Sequence, residues 1–327
     1  MKQNNFDILR LILAILVFFA HWNILTSQDI SNQLFHLSGY AVHIFFIVSG
    51  FLIFWSFDAD QNKKHFYIKR FFRIFPLYAF LIILQTLFFI GFSDGNTIEI
   101  IKYFIVNIFF LNFLAPAVGS TLSGLEVNAI NGSLWTLKNE VVFYALVPLI
   151  FMLYKKYGVY FLWIVYFLSV FYMFGVSYFG IEKLLVQFPA QLRLFVVGII
   201  LYVLFDKFKD KNITLLAIGS LILIVLFQDF EYFKFSVYPL FLGVLVIYLV
   251  YFVKHIKIDF DFSYSLYILH FPVIQLALYF EINPTNPIIS FVVLFAVILV
   301  LSYFSEKYIE KRFIKIGREI VKKDRSA

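Results

Sequence analysis

The sequence predicts an all-α protein, a polytopic bundle of transmembrane helices. Of its 327 residues, 62% are hydrophobic and 14% are charged, and apolar stretches near membrane-spanning length recur from end to end. About 20 apolar residues in a row are enough to cross the hydrocarbon core as a helix. Lys and Arg cluster beside these stretches, as they do at the cytoplasmic ends of membrane helices. We therefore expect about ten spans, one further interfacial or re-entrant helix, and both termini in the cytoplasm.

The charge and the cysteine content narrow the function classes. Lys and Arg total 27 against 20 Asp and Glu, a formal net charge of +7. In a mostly apolar chain this excess is expected at helix ends, where it sets orientation and can bind an anionic cofactor, so nucleic acid is not an expected partner. The absence of cysteine excludes a disulfide, a thiol nucleophile and thiolate metal ligands. No cluster has metal-ligand spacing, so no metal site is predicted.

The apolar runs predict the spans in order, and the charges between them set the sidedness. The connection Thr26 to Gly39 lacks Lys and Arg and is expected outside. The stretch from Lys63 to Arg73 is rich in basic residues and is expected to be a cytoplasmic loop. A turn at Asn283 to Pro287 is expected outside. The ten predicted spans are Phe6–Leu25, Tyr40–Phe57, Ile74–Phe92, Leu134–Tyr154, Val159–Tyr178, Ala190–Phe205, Ile213–Phe227, Phe235–Val253, Phe262–Phe280 and Ile288–Ser305.

One further apolar run, Ile98 to Leu114, conflicts with this alternation. If it crossed the membrane, the long loop Ala115 to Ser133 would be cytoplasmic, yet that loop contains no Lys or Arg. Lys155 and Lys156 instead follow the next helix. We therefore predict that Ile98 to Leu114 is interfacial or re-entrant, and this places Glu140 near the outer surface.

Two segments are expected to lie at a membrane surface. On the non-crossing run, Lys102 and Asn107 are expected on a wetter face. The chain is predicted to divide into a transmembrane domain, 1–305, and a basic cytoplasmic tail, 306–327. Apolar residues recur at helical spacing in that tail, which either lies on the inner membrane surface or is a solvated segment that only fixes topology; they are Ile309, Phe313, Ile316 and Ile320.

The outer ends of three spans carry His21, His43 and Glu140. An imidazole titrates near neutrality, so these residues suit general acid–base chemistry, with Glu140 fixing the tautomer of a histidine. The alternative is that each histidine forms a hydrogen bond within a helix interface and does no chemistry. Near His43, the pair Ser49-Gly50 is expected to let another backbone approach closely.

Two pairs of charged residues are expected at the depth of the cytoplasmic membrane surface. Arg70 and Arg73, at i and i+3, present two guanidinium groups on one helical face, which suits a phosphate-bearing cofactor. The alternative is ordinary positive charge that sets topology. Asp7 and Arg10, also at i and i+3, form either an interfacial ion pair or part of a cofactor site.

Four other residues are candidates for supporting roles. Arg193 begins a span near the outer interface and needs a partner or room to snorkel. His270 is expected near mid-depth, where Pro272 loosens the helix, and it is either structural or functional. Donors around Ser133 and Trp135 are candidates to stabilise an oxyanion. Trp135 alternatively stacks on a sugar ring or anchors its helix at the interface.

Five local patterns, taken in their order along the chain, resemble those of the integral-membrane acyltransferase 3 family, which includes O-acetyltransferases of bacterial surface polysaccharides. The sequence departs from the common pattern at Thr136, where Ser is frequent, and at His43, where Asp is frequent. The matching pieces are Phe6-Asp7-Ile8-Leu9-Arg10 with His21 on the same helix, His43 to Ile53, Arg70 to Pro76, Asn131 to Glu140, and Ser263 to Pro272.

The resemblance implies an enzyme of the bacterial plasma (inner) membrane that moves an acyl group, acetyl in the expected case, from cytoplasmic acyl-coenzyme A to a hydroxyl on the outer side. Arg70 and Arg73 would bind the nucleotide phosphates of acetyl-CoA. His21 would be the essential histidine, either as a general base on a sugar hydroxyl or as a transient acyl carrier, and Glu140 would support it. The implied partners are membrane lipid, a glycan or glycolipid acceptor, and polysaccharide-assembly proteins.

Two rival hypotheses come from other classes. A secondary transporter of a small anion or glycan precursor would also use buried charges, although no inverted repeat is detectable in the sequence. A catalytically inactive partner in polysaccharide assembly would not need the polar residues of the motifs. Retention of labelled acetyl on an envelope glycan separates the enzyme from the transporter.

Overall fold

The computed structural model describes residues 4–28, 32–258, 260–282 and 286–326. About 80% of the chain is helical, and the described ranges contain no strand, which confirms the all-α prediction. The chain forms two compact units. The first unit comprises Met1–Arg10, Val42–Phe66 and Asn139–Asp259, and the second comprises Leu11–Ala41, Tyr67–Lys138 and Phe260–Ala327.

The described ranges contain thirteen α-helices, three short 3-10 turns and one π-turn. The helices are α1 (Phe6–Thr26), α2 (Asn32–Asp58), α3 (Lys63–Phe92), α4 (Thr97–Ile108), α5 (Trp135–Tyr157), α6 (Val159–Tyr178), α7 (Phe188–Phe208), α8 (Thr214–Phe227), α9 (Glu231–Ser236), α10 (Tyr238–Tyr251), α11 (Ser263–Tyr279), α12 (Pro287–Ser305) and α13 (Lys311–Ser326). The 3-10 turns are Asn112–Leu114, Gly132–Leu134 and Glu182–Leu184, and the π-turn is Glu306–Glu310.

Seven of the described helices are long and apolar enough to cross a membrane, so the chain is a multi-pass membrane protein by length and composition. Helices α8 and α10 are apolar but shorter. The count of ten spans and the cytoplasmic placement of the termini stay predictions. The seven are Phe6–Thr26, Gly39–Asp58, Lys63–Phe92, Gly132–Tyr157, Val159–Tyr178, Glu182–Phe208 and Pro287–Ser326.

The prediction of a basic loop before the third span is wrong, because α3 begins at Lys63. The backbone N–H of His65 donates to the Asn62 side chain at 3.2 Å, so Asn62 caps the first turn and starts the helix eleven residues before Ile74. Hydropathy alone does not detect such a start, since the first turns of α3 are basic.

The prediction of one unbroken helix over Phe235–Val253 is also wrong. Helix α9 ends at Ser236 and α10 begins at Tyr238. Pro239 lies in the first turn of α10, where its missing N–H costs no intrahelical hydrogen bond. Proline therefore starts a new helix here.

Helix α4 has twelve residues, and at about 1.5 Å per residue it is far shorter than the roughly 30 Å of a hydrocarbon core. This length agrees with the prediction of a non-crossing segment. Lys102 is exposed as expected, but the prediction for Asn107 is wrong, because Asn107 is 2% exposed. Its amide donates to the carbonyls of Tyr103 and Ala115, both at 2.8 Å, so it satisfies backbone groups where the chain doubles back.

The tail continues from α12 through the π-turn into α13 and belongs to the second unit. Phe313 stacks on Phe72 of α3, and Gly317 lies so close to Phe72 that an added Cβ would be 2.9 Å from it. The tail therefore packs on α3, and its position relative to a membrane stays a prediction. Of the predicted turn Asn283 to Pro287, residues 283–285 lie outside the described residues.

Close packing of α2 on α7 confirms the prediction for Ser49-Gly50. A Cβ added to Gly50 would be 2.1 Å from the carbonyl oxygen of Phe195, and one added to Gly198 would be 2.1 Å from that of Ile47. Only glycine fits at either position, since the two backbones touch there.

Candidate active site

Two histidines meet in the second unit. His21 lies on α1 and His270 on α11, and His21 Nδ1 is 2.7 Å from His270 Nε2. The two rings lie edge to edge, with centroids 5.0 Å apart and planes inclined by 21°. His270 is fully buried, whereas His21 is partly exposed. Part of the His21 surface is therefore open, whereas His270 is covered on all sides.

The backbone of α11 fixes the tautomer of this pair. His270 Nδ1 is 3.0 Å from the carbonyl oxygen of Leu266, and because a carbonyl can only accept, that nitrogen carries the proton. In the neutral ring, His270 Nε2 is then an acceptor, so His21 must donate its Nδ1–H to it. The consequence is that His21 Nε2 holds a lone pair and is the nitrogen able to take a proton from a substrate.

The segment before α5 supports α11 around this pair. Pro272 has no N–H and so leaves the carbonyl of Ile268, one turn earlier, without its helical donor. The Asn131 amide donates to that carbonyl at 2.9 Å. Thr136 Oγ1 is 2.6 Å from the hydroxyl of Tyr267 on the same helix. The Thr that stands in place of Ser therefore keeps a hydroxyl that binds α11.

Gly132 and Ser133 complete this support. A Cβ on Gly132 would be 2.7 Å from the ring of Phe271, so the turn lies directly on α11. The Ser133 hydroxyl is fully buried and donates to Asn131 Oδ1 at 2.7 Å. A hydroxyl has one proton to donate, and in Ser133 this bond uses it. The role of donors around Ser133 and Trp135 toward an oxyanion stays a prediction.

The inner candidate Arg73 contacts two carboxylates of the second unit. Its guanidinium lies 3.3 Å from Asp261 Oδ2 and 3.8 Å from Glu310 Oε2. Glu310 is 2% exposed and accepts from the Ser265 hydroxyl at 2.6 Å. Arg70, one turn earlier, is partly exposed. The roles of both arginines toward a phosphate stay predictions.

Sequence reasoning missed Asp261, Glu306 and Glu310. The two glutamates lie in a tail whose many basic residues dominate its charge pattern. The available signal is their spacing of four residues immediately after an apolar run, which puts two carboxylates on one helical face at the end of a span. Both are buried in the structure, at 4% and 2% exposure.

Within the first unit, Glu140 forms hydrogen bonds with two hydroxyls. Ser49 Oγ donates to Glu140 Oε1 at 3.2 Å, and the Tyr144 hydroxyl donates to the same oxygen at 2.5 Å. The expected Asp7–Arg10 ion pair is present in this unit, with a separation of 2.7 Å. The proposed support of His21 by Glu140 stays a prediction.

Two further candidates of the first unit also have partners. His43 Nδ1 is 3.0 Å from the Tyr238 hydroxyl. Arg193 is 2% exposed and donates from Nη1 to the carbonyl of Ala190 at 2.6 Å. Arg193 is thus buried with a backbone partner and does not snorkel. Among the residues that the structure describes, no group of three His, Asp or Glu is placed to hold a metal ion.

The chain has helices of membrane length and, in its second unit, a histidine pair with one nitrogen able to accept a proton, which is consistent with a membrane enzyme that moves protons during group transfer. A model of a protein family described as an acyltransferase domain matches residues 3–306. The chain belongs to the acyltransferase 3 family, as its motifs predicted. It is accordingly a multi-pass membrane acyltransferase.

Two relatives support this assignment. The chain is 28% identical to an O-acetyl transferase of Shigella phage Sf6 over 334 residues, which cover 96% of each protein. It is 31% identical over 170 residues to nodulation protein 10 of Rhizobium leguminosarum bv. viciae, a match that covers 47% of this chain and 46% of that protein. No solved structure matches the chain.

Proposed function

We propose that the protein is an O-acetyltransferase that takes an acetyl group from cytoplasmic acetyl-CoA and delivers it to a hydroxyl of a cell-envelope polysaccharide or glycolipid on the outer side of the bacterial plasma membrane. The observation that carries the proposal is the contact of His21 with His270, whose tautomer is set by the Leu266 carbonyl. The name of the phage relative supports acetyl transfer to oxygen.

In the proposed reaction, His21 Nε2 accepts the proton of the acceptor hydroxyl as the hydroxyl oxygen attacks the thioester carbonyl carbon. A carbon–oxygen bond forms, the carbon–sulfur bond breaks, and the coenzyme A thiolate leaves with the electron pair. The proton held by His21 then neutralises the thiolate, so atoms and charges balance.

His270 is a positioning residue in this scheme. When His21 gains a proton, its Nδ1–H hydrogen bond to His270 Nε2 becomes charge-assisted and stronger. The Leu266 carbonyl, on the far side of His270, continues the chain and stabilises the same positive charge. The stabilisation therefore grows as the transition state forms, which is the condition for a catalytic effect.

The donor would be held at the level of Arg70 and Arg73. A phosphate at Arg73 has to share the guanidinium with Asp261 and Glu310, which already neutralise part of its charge. We propose both arginines as phosphate ligands, with Arg73 also holding these two carboxylates. Calorimetry with coenzyme A checks this: Arg70→Ala and Arg73→Ala are each expected to weaken binding, and an unchanged affinity in both variants would contradict these roles.

On the acceptor side we propose Glu140 and His43, with polysaccharide-assembly proteins as neighbours in the membrane. The test of the function compares cells that make the wild-type chain, His21→Ala or no chain at all. Mass spectrometry of the surface polysaccharide is expected to show acetyl esters only with the wild type. Esters at full level with His21→Ala, at equal amounts of protein in the membrane, would contradict the proposed role of His21.

A further inference from the structure

The second unit contains a cavity of about 130 Å³ that the reaction scheme leaves unused. Buried Gln85 of α3 forms part of its floor. Its rim includes exposed Phe113 and the partly exposed residues Asn112, Trp135 and Lys138. At roughly 30 Å³ per water molecule, the volume corresponds to about four waters, or to much of one sugar ring.

Two polar atoms at this cavity have no hydrogen-bond partner in the part of the chain that the structure describes: Gln85 Nε2 and Asn112 Oδ1. Gln85 is 3% exposed, and its Oε1 already accepts from the Tyr103 hydroxyl at 2.7 Å. Asn112 uses its Nδ2 to donate to Tyr78 and Asn107. One buried donor and one buried acceptor on residues that line this cavity are therefore without a hydrogen bond, which is costly.

The unmet donor and the unmet acceptor indicate which chemical class of ligand would fit. A hydroxyl both donates and accepts, so neighbouring hydroxyls can satisfy Gln85 Nε2 and Asn112 Oδ1 together. A fully ionised phosphate has no proton for Asn112 Oδ1, and an acyl chain would leave both atoms unmet. The indole of Trp135 offers an apolar face of the kind that packs on a sugar ring.

The cavity is also physically continuous with the support of the histidine pair. Asn131 and Gly132 line it, and the same two residues contact Ile268 and Phe271 of α11, the helix that carries His270. A ligand seated here would press on the segment that holds the histidine in place.

We propose that this cavity binds one uncharged sugar ring of the acceptor, with Gln85 and Asn112 as its hydrogen-bonding residues. This inference rests on the proposed function, because it names where the glycan acceptor sits. Trp135 then stacks on the sugar ring, which is one of the three roles that the sequence left open for it.

The test measures sugar binding without any transfer. Saturation-transfer NMR is recorded on the full chain in detergent micelles with the methyl glycosides of glucose, galactose, mannose and N-acetylglucosamine. Ring-proton signals are expected for at least one glycoside, and Gln85→Met is expected to weaken its binding about five- to tenfold through loss of one hydrogen bond.

Tyr103→Phe is the matched control, since it breaks the same internal Tyr103–Gln85 bond but leaves Gln85 Nε2 in place. It is expected to keep the binding, and so to separate loss of the ligand contact from loss of packing. Asn112→Ala, on the partly exposed rim, is expected to weaken binding as Gln85→Met does and gives a second variant that leaves Gln85 itself in place.

Three outcomes would overturn the inference: no glycoside signal with the wild type, equal losses in Gln85→Met and Tyr103→Phe, or unchanged binding in both Gln85→Met and Asn112→Ala. The first would mean that the cavity holds only water. Sugar binding that depends on Gln85, together with no acetyl transfer, would contradict the proposed function and leave the sugar site standing. Acetyl transfer whose acceptor KM is unchanged in both Gln85→Met and Asn112→Ala would contradict the sugar site and leave the proposed function standing.

Discussion

Replacing His270 isolates the hydrogen bond that fixes the His21 tautomer. In His270→Phe the ring shape is largely kept, but the acceptor for His21 Nδ1–H, at 2.7 Å in the wild type, is lost. A hydrogen bond to a charged group is worth about 1.5–3 kcal/mol, which corresponds to about a tenfold to 150-fold fall in kcat. The KM for the acyl donor should stay unchanged, because His270 is fully buried and reaches no ligand.

The conservative variant and the double variant sharpen this prediction. His270→Gln keeps an acceptor of similar reach and should retain more activity than His270→Phe. His21→Ala should cost about 10²- to 10⁴-fold, the usual contribution of a general base. Adding His270→Phe to His21→Ala should cost little more, since the two residues act as one unit.

The assay follows release of coenzyme A with a thiol reagent. The chain has no cysteine, so the protein contributes no background signal. The acceptor is envelope glycan from cells that lack the protein. His255→Gln serves as the control, since His255 forms a long 3.3 Å contact with Asn5 in the first unit and should leave kcat unchanged. Wild-type kcat in His270→Phe would refute the tautomer argument.

Three further predictions concern stability. Asn131→Ala leaves the Ile268 carbonyl without a donor and should lower the free energy of unfolding by about 1–3 kcal/mol, seen as a lower Tm than that of the wild type; an equal Tm would contradict this role of Asn131. Gly50→Ala places a methyl group against the Phe195 carbonyl, so it pushes α2 away from α7 and should lower Tm. An unchanged Tm would show that the two helices can separate without loss of stability. The Ser120 hydroxyl and other loop donors lower the pKa of Asp94 in the folded protein. The ionised carboxylate therefore stabilises its loop at pH values above the pKa of the unfolded chain, and this effect is lost as the pH falls through the folded pKa. Hydrogen exchange of residues 93–121 at acid and neutral pH checks this, with Asp94→Asn as a control whose exchange should not depend on this titration.

Local pattern predicted much of the fold. Helix α6 has the predicted bounds, Val159–Tyr178, because an unbroken apolar run flanked by Gly158 leaves little choice. The absence of Lys and Arg in the loop after α4 predicted that the preceding apolar run does not cross the membrane. The small residues Ser49 and Gly50 predicted the close approach of another backbone. These features depend on residues near one another in sequence, so periodicity and charge carry enough information.

Contacts between distant elements could not be predicted in this way. His21 and His270 are 249 residues apart, and hydropathy gives their depth but not the side of each helix that faces the other. The use of Asn131 to satisfy a carbonyl freed by Pro272 likewise depends on how two elements pack. Glu310 was hidden by its basic neighbours, although it is buried beside Arg73.

Acyl transfer from the cytoplasm to an outer hydroxyl through His21 can be followed in sealed membrane vesicles that enclose the glycan acceptor. Inside-out vesicles expose the cytoplasmic face to added acetyl-CoA carrying a ¹³C-labelled acetyl group. We expect ester-linked label on the enclosed glycan with the wild-type chain and labelling at least about a hundredfold slower with His21→Ala. Equal label with both chains, or free labelled acetate inside and no ester on the glycan, would contradict this expectation.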